Sequence, residues 1–236
     1  MSAKKVKVKV KKKKLKIKNL LITLIIFLTI VLIGIDIIKL PLKNIYITGN
    51  NTLDDKTVIE LADLEEYPPY LSTYFTNIKK KLLKNEYIKN VTIKRSLNRK
   101  IYIDIEEYKP ICIYKEKLVL SSTKPVDNKY NITYVPYIIN NIDNIYNNFI
   151  NKASQIDDEI LIKISHIEYV PNEVDKERFL FYMNDSNYVY VTLSKIDKMN
   201  KYNSIMQKLD NKKGIIYLDS GDYVEIKDWQ LSVLIL

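Results

Sequence analysis

The chain has 236 residues, a single cysteine, and a formal net charge of +10 from 38 basic and 28 acidic residues. Ten of the lysines fall between Lys4 and Lys18 with no acid among them, so the body that follows is neutral, with 28 basic against 28 acidic residues. That placement suits anionic lipid headgroups and the setting of topology rather than nucleic acid, and the lone Cys112 excludes an intrachain disulfide.

The run from Leu20 to Ile38, LLITLIIFLTIVLIGIDII, holds nineteen residues and one charge, Asp36. As a helix it is about 28 Å long at ~1.5 Å per residue, close to the ~30 Å hydrocarbon core of a bilayer. The lysines precede it, so the positive-inside rule puts the N-terminus in the cytoplasm. A cleaved signal would have a shorter apolar run ending in a small-x-small site, whereas Gly34-Ile35-Asp36 follows here, and an uncleaved anchor is expected. Residues 1–19 are then a basic cytoplasmic tail and 20–38 a transmembrane helix.

Ile45 to Thr48 alternates and stops at Gly49-Asn50-Asn51, predicting a short strand. Asp54 and Asp55 open an amphipathic helix with Val58, Leu61 and Ala62 on one face, broken by Tyr67-Pro68-Pro69-Tyr70. A second helix is predicted from Ser72 to Lys84, capped by Ser72 or Thr73, with Phe75, Ile78, Leu82 and Leu83 buried. Two period-two strands follow, Val91 to Arg95 and Ile101 to Glu106, turning at Ser96 to Lys100.

The residues in this order resemble the POTRA domain of the bacterial cell-division family FtsQ/DivIB. Gly49-Asn50, the stretch Asn85 to Arg95, and Ile103 to Ile111 are similar to that family's "P-x-I-K-x-V-x-V-x-R" and "V-x-E-R-x-P-V-A" strands. Glu86 stands where proline is usual, and Tyr108-Lys109 replaces the common arginine before Pro110; neither alters the buried positions.

Beyond Pro110, Val135-Pro136-Tyr137-Ile138 resembles the family's "L-P-x-I" step, and Ile142, Ile145, Tyr146, Phe149 and Ile150 recur at helical spacing. Three strands are predicted at Ile162 to Tyr169, Arg178 to Asn184 and Tyr188 to Leu193, the last two joined at Asp185-Ser186-Asn187. A helix from Ser194 to Leu209 with Ile196, Met199, Tyr202, Met206 and Leu209 on one face ends at Asn211 to Gly214. Strands at Ile215 to Leu218 and Tyr223 to Ile226 flank Asp219-Ser220-Gly221-Asp222, a tract also similar to the end of the FtsQ/DivIB β domain. The ending, Asp228 to Leu236, fits neither pattern.

No catalytic cluster emerges. His166 alternates with Ile164 and Glu168 on a strand, Cys112 lies between isoleucines, and Asp157-Asp158-Glu159 and Glu65-Glu66 read as a solvated turn and a loop. The glycines are isolated, and no cysteine or histidine spacing fits a metal. No cofactor, nucleic acid or small-molecule substrate is expected.

The expected fold is α+β: a single N-terminal transmembrane helix, a POTRA (β-α-α-β-β) domain over 42–110, and a larger mixed β-sheet domain with flanking helices over 111–228, ending in a 229–236 tail. The resemblance implies a non-enzymatic scaffold of septum formation in the cell membrane, its outer domains extracytoplasmic, with FtsL-like and FtsB/DivIC-like bitopic partners. It places their docking at Leu218, Asp219, Ser220, Gly221 and Val224; Tyr217 and Tyr223 join them because tyrosine suits interfaces. The competing classes are a membrane-anchored enzyme of cell-wall polymer and a POTRA-bearing transport component.

Overall fold

A computed structural model describes residues 17–210 and 212–226. The lysine tail up to Lys16 and the apolar ending from Asp228 lie outside the described residues.

Helix α1, Ile17–Lys39, is the one helix among the described residues long and apolar enough to cross a membrane, and its apolar side chains are exposed along its length. Its two threonines turn their hydroxyls back onto the helix, Thr23 to the carbonyl of Leu20 and Thr29 to that of Ile26, so no side-chain donor is left to apolar surroundings.

The first globular unit is a three-stranded sheet with two helices. β1 (Asn44–Thr48) lies parallel to β3 (Lys100–Glu107), which pairs antiparallel with β2 (Ile88–Ser96), in the order β1-β3-β2. Helices α2 (Asp55–Ala62) and α3 (Phe75–Leu82) close one face, where Leu53, Val58, Leu82, Val91, Ile101 and Ile103 form a core. The period-two pattern of β3 becomes strictly alternating burial, with Ile101, Ile103 and Ile105 inward. Asp54 caps α2 by accepting from the Thr57 N–H at 2.8 Å. After β1 the chain turns at Gly49, whose φ is +78° and whose added Cβ would lie 2.0 Å from the Ile105 carbonyl oxygen; only glycine fits.

The second unit is a nine-stranded mixed sheet. Its strands are β4 (Pro110–Tyr114), β5 (Lys117–Leu120), β6 (Pro125–Val126), β7 (Tyr137–Ile138), β8 (Ile164–Tyr169), β9 (Arg178–Met183), β10 (Tyr188–Thr192), β11 (Gly214–Tyr217) and β12 (Tyr223–Ile226), in the order β12-β11-β10-β9-β8-β7-β4-β5-β6. β7 joins the two halves through parallel pairs with β4 and β8, and β11 is parallel to β10. Helices α4 (Tyr146–Ala153), α5 (Asp158–Leu161) and α6 (Tyr202–Lys208) and a 3-10 helix (Leu193–Lys201) contribute Phe149, Ile160 and Met199 to a core shared with Phe179, Phe181 and Val189.

Several elements differ from expectation for local reasons. α3 starts three residues late, because the Thr73 and Ser72 hydroxyls bond the Pro69 carbonyl instead of capping a helix, and Leu83 is exposed. Asp157 is not a plain turn residue but precedes the single turn of α5. α4 begins only at Tyr146, since Asn141 and Asp143 are drawn to the Tyr114 hydroxyl. The helix expected over Ser194 to Leu209 opens as 3-10 with Lys195 non-helical, its Nζ reaching the Asp219 carbonyl at 2.7 Å.

The two units are fused closely. Only Tyr108 and Lys109 separate β3 from β4, and the Tyr108 N–H donates to the Tyr87 carbonyl at 2.8 Å. Tyr87, at the foot of β2, is buried in the core of the larger unit, its hydroxyl donating to the Asp127 carbonyl at 2.8 Å and its ring meeting Tyr130 edge-on at 4.9 Å.

Candidate partner-docking edge

The terminal hairpin β11–β12 carries all seven residues singled out in the sequence. β11 is held by a three-residue parallel register with β10, Tyr188↔Ile215 to Tyr190↔Tyr217, and continues it when the Leu218 N–H donates to the Tyr190 carbonyl at 2.8 Å. Its first residue, Gly214, crosses so near β12 that a Cβ there would lie 2.3 Å from the Glu225 carbonyl oxygen. The Gly214 N–H donates to Oδ1 of the buried Asn187 at 2.8 Å, and Asn187 Nδ2 donates to the Tyr202 hydroxyl at 3.1 Å. That hydroxyl in turn donates to the Asp185 carboxylate, and burial, helped by this bond, pushes the phenol well above its ordinary range.

Alternation divides the hairpin between two faces. Leu218 is buried and Val224 is partly buried against the same core, so neither offers its side chain outward. Asp219 is shielded on the opposite face, beside the tyrosines: its carboxylate is 7% exposed and accepts from Arg178 Nε at 2.6 Å, with the Arg178 side chain 19% exposed and its guanidinium 3.8 Å over the Tyr190 ring. Ser220 Oγ donates to Asp219 at 3.0 Å, Gly221 takes φ +127°, and Asp222 pairs with Lys198 at 2.6 Å, the lysine holding that carboxyl below its ordinary value of 3.8.

On the open face Tyr217 stacks between Tyr190 and Tyr223, with centroids 5.3 and 4.5 Å apart and planes within 15°. Tyr223 is 51% exposed, and Tyr217 reaches Glu225 through its hydroxyl at 3.3 Å. The cross-strand register Tyr137↔His166, His166↔Tyr182 and Tyr182↔Tyr188 extends aromatic cover along the same side of the sheet. Among the described residues β12 pairs with β11 alone and ends the sheet, leaving backbone donors and acceptors on its other side.

The edge is therefore a short strand stiffened on its open face by an ion pair and a stacked tyrosine row, and from behind by a buried amide. Arg178, Tyr190, Lys195 and Lys198 were not foreseen as parts of it. Tyr190 had a signal in the Tyr188-Val189-Tyr190-Val191 alternation, which puts both tyrosines on one face; the cations carried none, because their partners are 24 to 41 residues away.

The groups that could have suggested chemistry lie apart. His166 sits on the open face beside Tyr137, with ring centroids 5.9 Å apart; Cys112 is buried, which raises its thiol pKa; and Asp158 pairs with Lys109 at 2.5 Å. No group of three or more potential metal ligands occurs among the described residues.

The family model for the POTRA domain, FtsQ-type, matches residues 40–108. The cell division protein DivIB of Bacillus subtilis (strain 168) is 32% identical over 220 residues, covering 87% of this chain and 82% of that protein. This chain belongs to the DivIB family of cell division proteins. DivIB of Brevibacillus brevis is 28% identical over 207 residues, with 81% of this chain and 77% of that protein covered. A solved structure of the major extracytoplasmic domain of DivIB from Geobacillus stearothermophilus is similar to 44% of this chain, at 20% identity and a TM-score of 0.38, and 96% of that chain is covered. The first unit is thus the POTRA domain of this family, and the chain's role lies in cell division.

Proposed function

We propose that the chain is a non-enzymatic, single-pass scaffold of the division septum. α1 anchors it with the basic tail in the cytoplasm, and the POTRA domain and larger sheet lie outside, where they bind FtsL-like and FtsB/DivIC-like bitopic proteins. Docking takes place at Tyr217 to Val224, by addition of a partner strand to β12. The observation that carries this reading is the position of β12: among the described residues it ends the sheet, with one side paired and the other open. Within the site the residues divide the work. Tyr223 and Tyr217 offer contact area with few rotors, Ser220 and Gly221 shape the tip, Leu218 and Val224 hold the hairpin from inside, and Asp219 ties it to Arg178 beside the tyrosines.

The test is a co-purification of the membrane-reconstituted full chain with FtsL-like and FtsB/DivIC-like proteins, comparing wild type with Tyr223→Lys. Loss of about tenfold in affinity, ~1.4 kcal/mol, is expected, with the thermal transition unchanged because Tyr223 is at the surface. Undiminished binding by a folded Tyr223→Lys variant would remove the edge from the proposal.

A further inference from the structure

The chain is captured by the POTRA domain as soon as it leaves α1. The helix ends at Lys39; the Tyr70 N–H then donates to the Leu40 carbonyl at 2.9 Å, and the Leu42 N–H to the Pro68 carbonyl at 3.0 Å, with Pro41 bridging Pro69. From the other side Arg99 donates to the Pro41 carbonyl at 3.2 Å and accepts from the Lys43 N–H at 2.8 Å. Leu42 is buried, and β1 begins at Asn44 opposite Lys100. At no more than ~3.6 Å per residue, Leu40 to Lys43 carry the chain at most about 14 Å beyond the helix. The loop at Pro68–Tyr70 and the β2–β3 turn are therefore held against the end of α1.

Those two loops carry apolar side chains with little over them. Leu97, at the tip of the β2–β3 turn, is 99% exposed and Tyr74 is 68% exposed, while Leu71 and Tyr67 are about half exposed. A single exposed leucine on a soluble surface has no meaning, but four such tips gathered at the end nearest a span form a patch. Tyrosine and leucine together suit the headgroup boundary, where a ring can sink while its hydroxyl stays wet. Arg99 and Lys100 close the turn that carries Leu97, with Lys43 bonded to Arg99, and the exposed Glu65 and Glu66 precede Tyr67; cations and anions offset one another, so apolar burial rather than net charge is what draws the patch to lipid.

We propose that this end of the POTRA domain is a membrane-docking surface, with Leu97, Leu71, Tyr74 and Tyr67 seated in the headgroup region of the leaflet at which α1 ends. The docking rests on α1 spanning the bilayer. It fixes an orientation: the β2–β3 hairpin stands on its turn, and at ~3.3 Å per residue its far end, where Ile88 pairs with Glu107, lies about 25 Å further out. The larger sheet, joined at that far end, is held off the membrane.

The test uses the full chain in bilayer nanodiscs containing nitroxide-labelled lipid, with single cysteines introduced as Leu97→Cys, Glu86→Cys or Phe27→Cys and labelled with a fluorophore. Cys112 can stay, because its buried thiol escapes labelling in the folded protein. The Leu97 probe is expected to be quenched several-fold more than the Glu86 probe at the far end of the hairpin, and the Phe27 probe, inside the span, most of all. Equal quenching at Leu97 and Glu86 with strong quenching at Phe27 overturns the docking and leaves the anchor standing. An unquenched Phe27 probe defeats the anchor and the docking together.

Discussion

At the scale of single residues, the β11–β12 hairpin leans on a carboxylate that is almost out of solvent. Asp219 was picked out by family resemblance alone, and its side chain faces Arg178. Removing one member of such a pair strands the other: Asp219→Ala leaves a largely buried guanidinium over Tyr190 without its anion. A loss of about 2–4 kcal/mol in thermal or denaturant unfolding is expected, with Arg178→Ala and the double variant showing strong non-additivity. Additive losses would mean that the two side chains do not stabilise each other. The resemblance placed Leu218 at the docking site, whereas its side chain is buried in the core; Tyr217 and Tyr223 were named for their residue type alone, and the structure puts both on the open face. The local pattern could not mark Arg178, 41 residues distant, since nothing in a strand's own alternation says which cation crosses to it.

At the scale of elements, β11 is a four-residue strand with a three-residue register to β10, too little backbone pairing to hold an edge unaided. Asn187 supplies the missing hold, closing the β9–β10 turn and binding both the Gly214 N–H and the Tyr202 hydroxyl. In Asn187→Ala both groups lose a buried partner, and a destabilisation of about 2–3 kcal/mol is expected. Hydrogen exchange should accelerate first in β11 and β12 while β8 and β9 stay protected; uniform acceleration across the sheet would instead show that the amide supports the whole domain. Strands were the most readable elements: β3 and β10 appear in the sequence as alternation, and β9 as an apolar run ending at Asp185-Ser186-Asn187. The 3-10 helix was not told apart from α6, because Ile196, Met199 and Tyr202 step by three, a spacing that one face of an α-helix also carries. β7 is only two residues long, too short for any periodic signal, yet it joins the two halves of the sheet.

At the scale of the molecule, the POTRA domain and the larger sheet share Tyr87. Its ring belongs to the larger core although its backbone precedes β2, and its hydroxyl reaches Asp127. Tyr87→Ala is expected to cost about 3–5 kcal/mol and to split a single unfolding transition into two, one for each domain. A single transition displaced as a whole would show that the short Tyr108-Lys109 connection couples the domains without that ring. The two-domain plan behind a membrane-length helix could be read from the chain because the longer strands and helices announce themselves locally. The strand order of the nine-stranded sheet could not, because the parallel pairs β4/β7 and β10/β11 are long-range choices made by packing.

The central claim is that β12 receives a partner strand, and amide hydrogen exchange on the membrane-reconstituted full chain tests it directly, with and without an FtsL-like and FtsB/DivIC-like pair. Pairing requires that the amides of Tyr223 to Ile226 slow most on adding the partners, while β6, at the opposite end of the sheet order, keeps its rate. Slowing confined to β6, the open tyrosine face or the POTRA domain, with β12 unchanged, would contradict it.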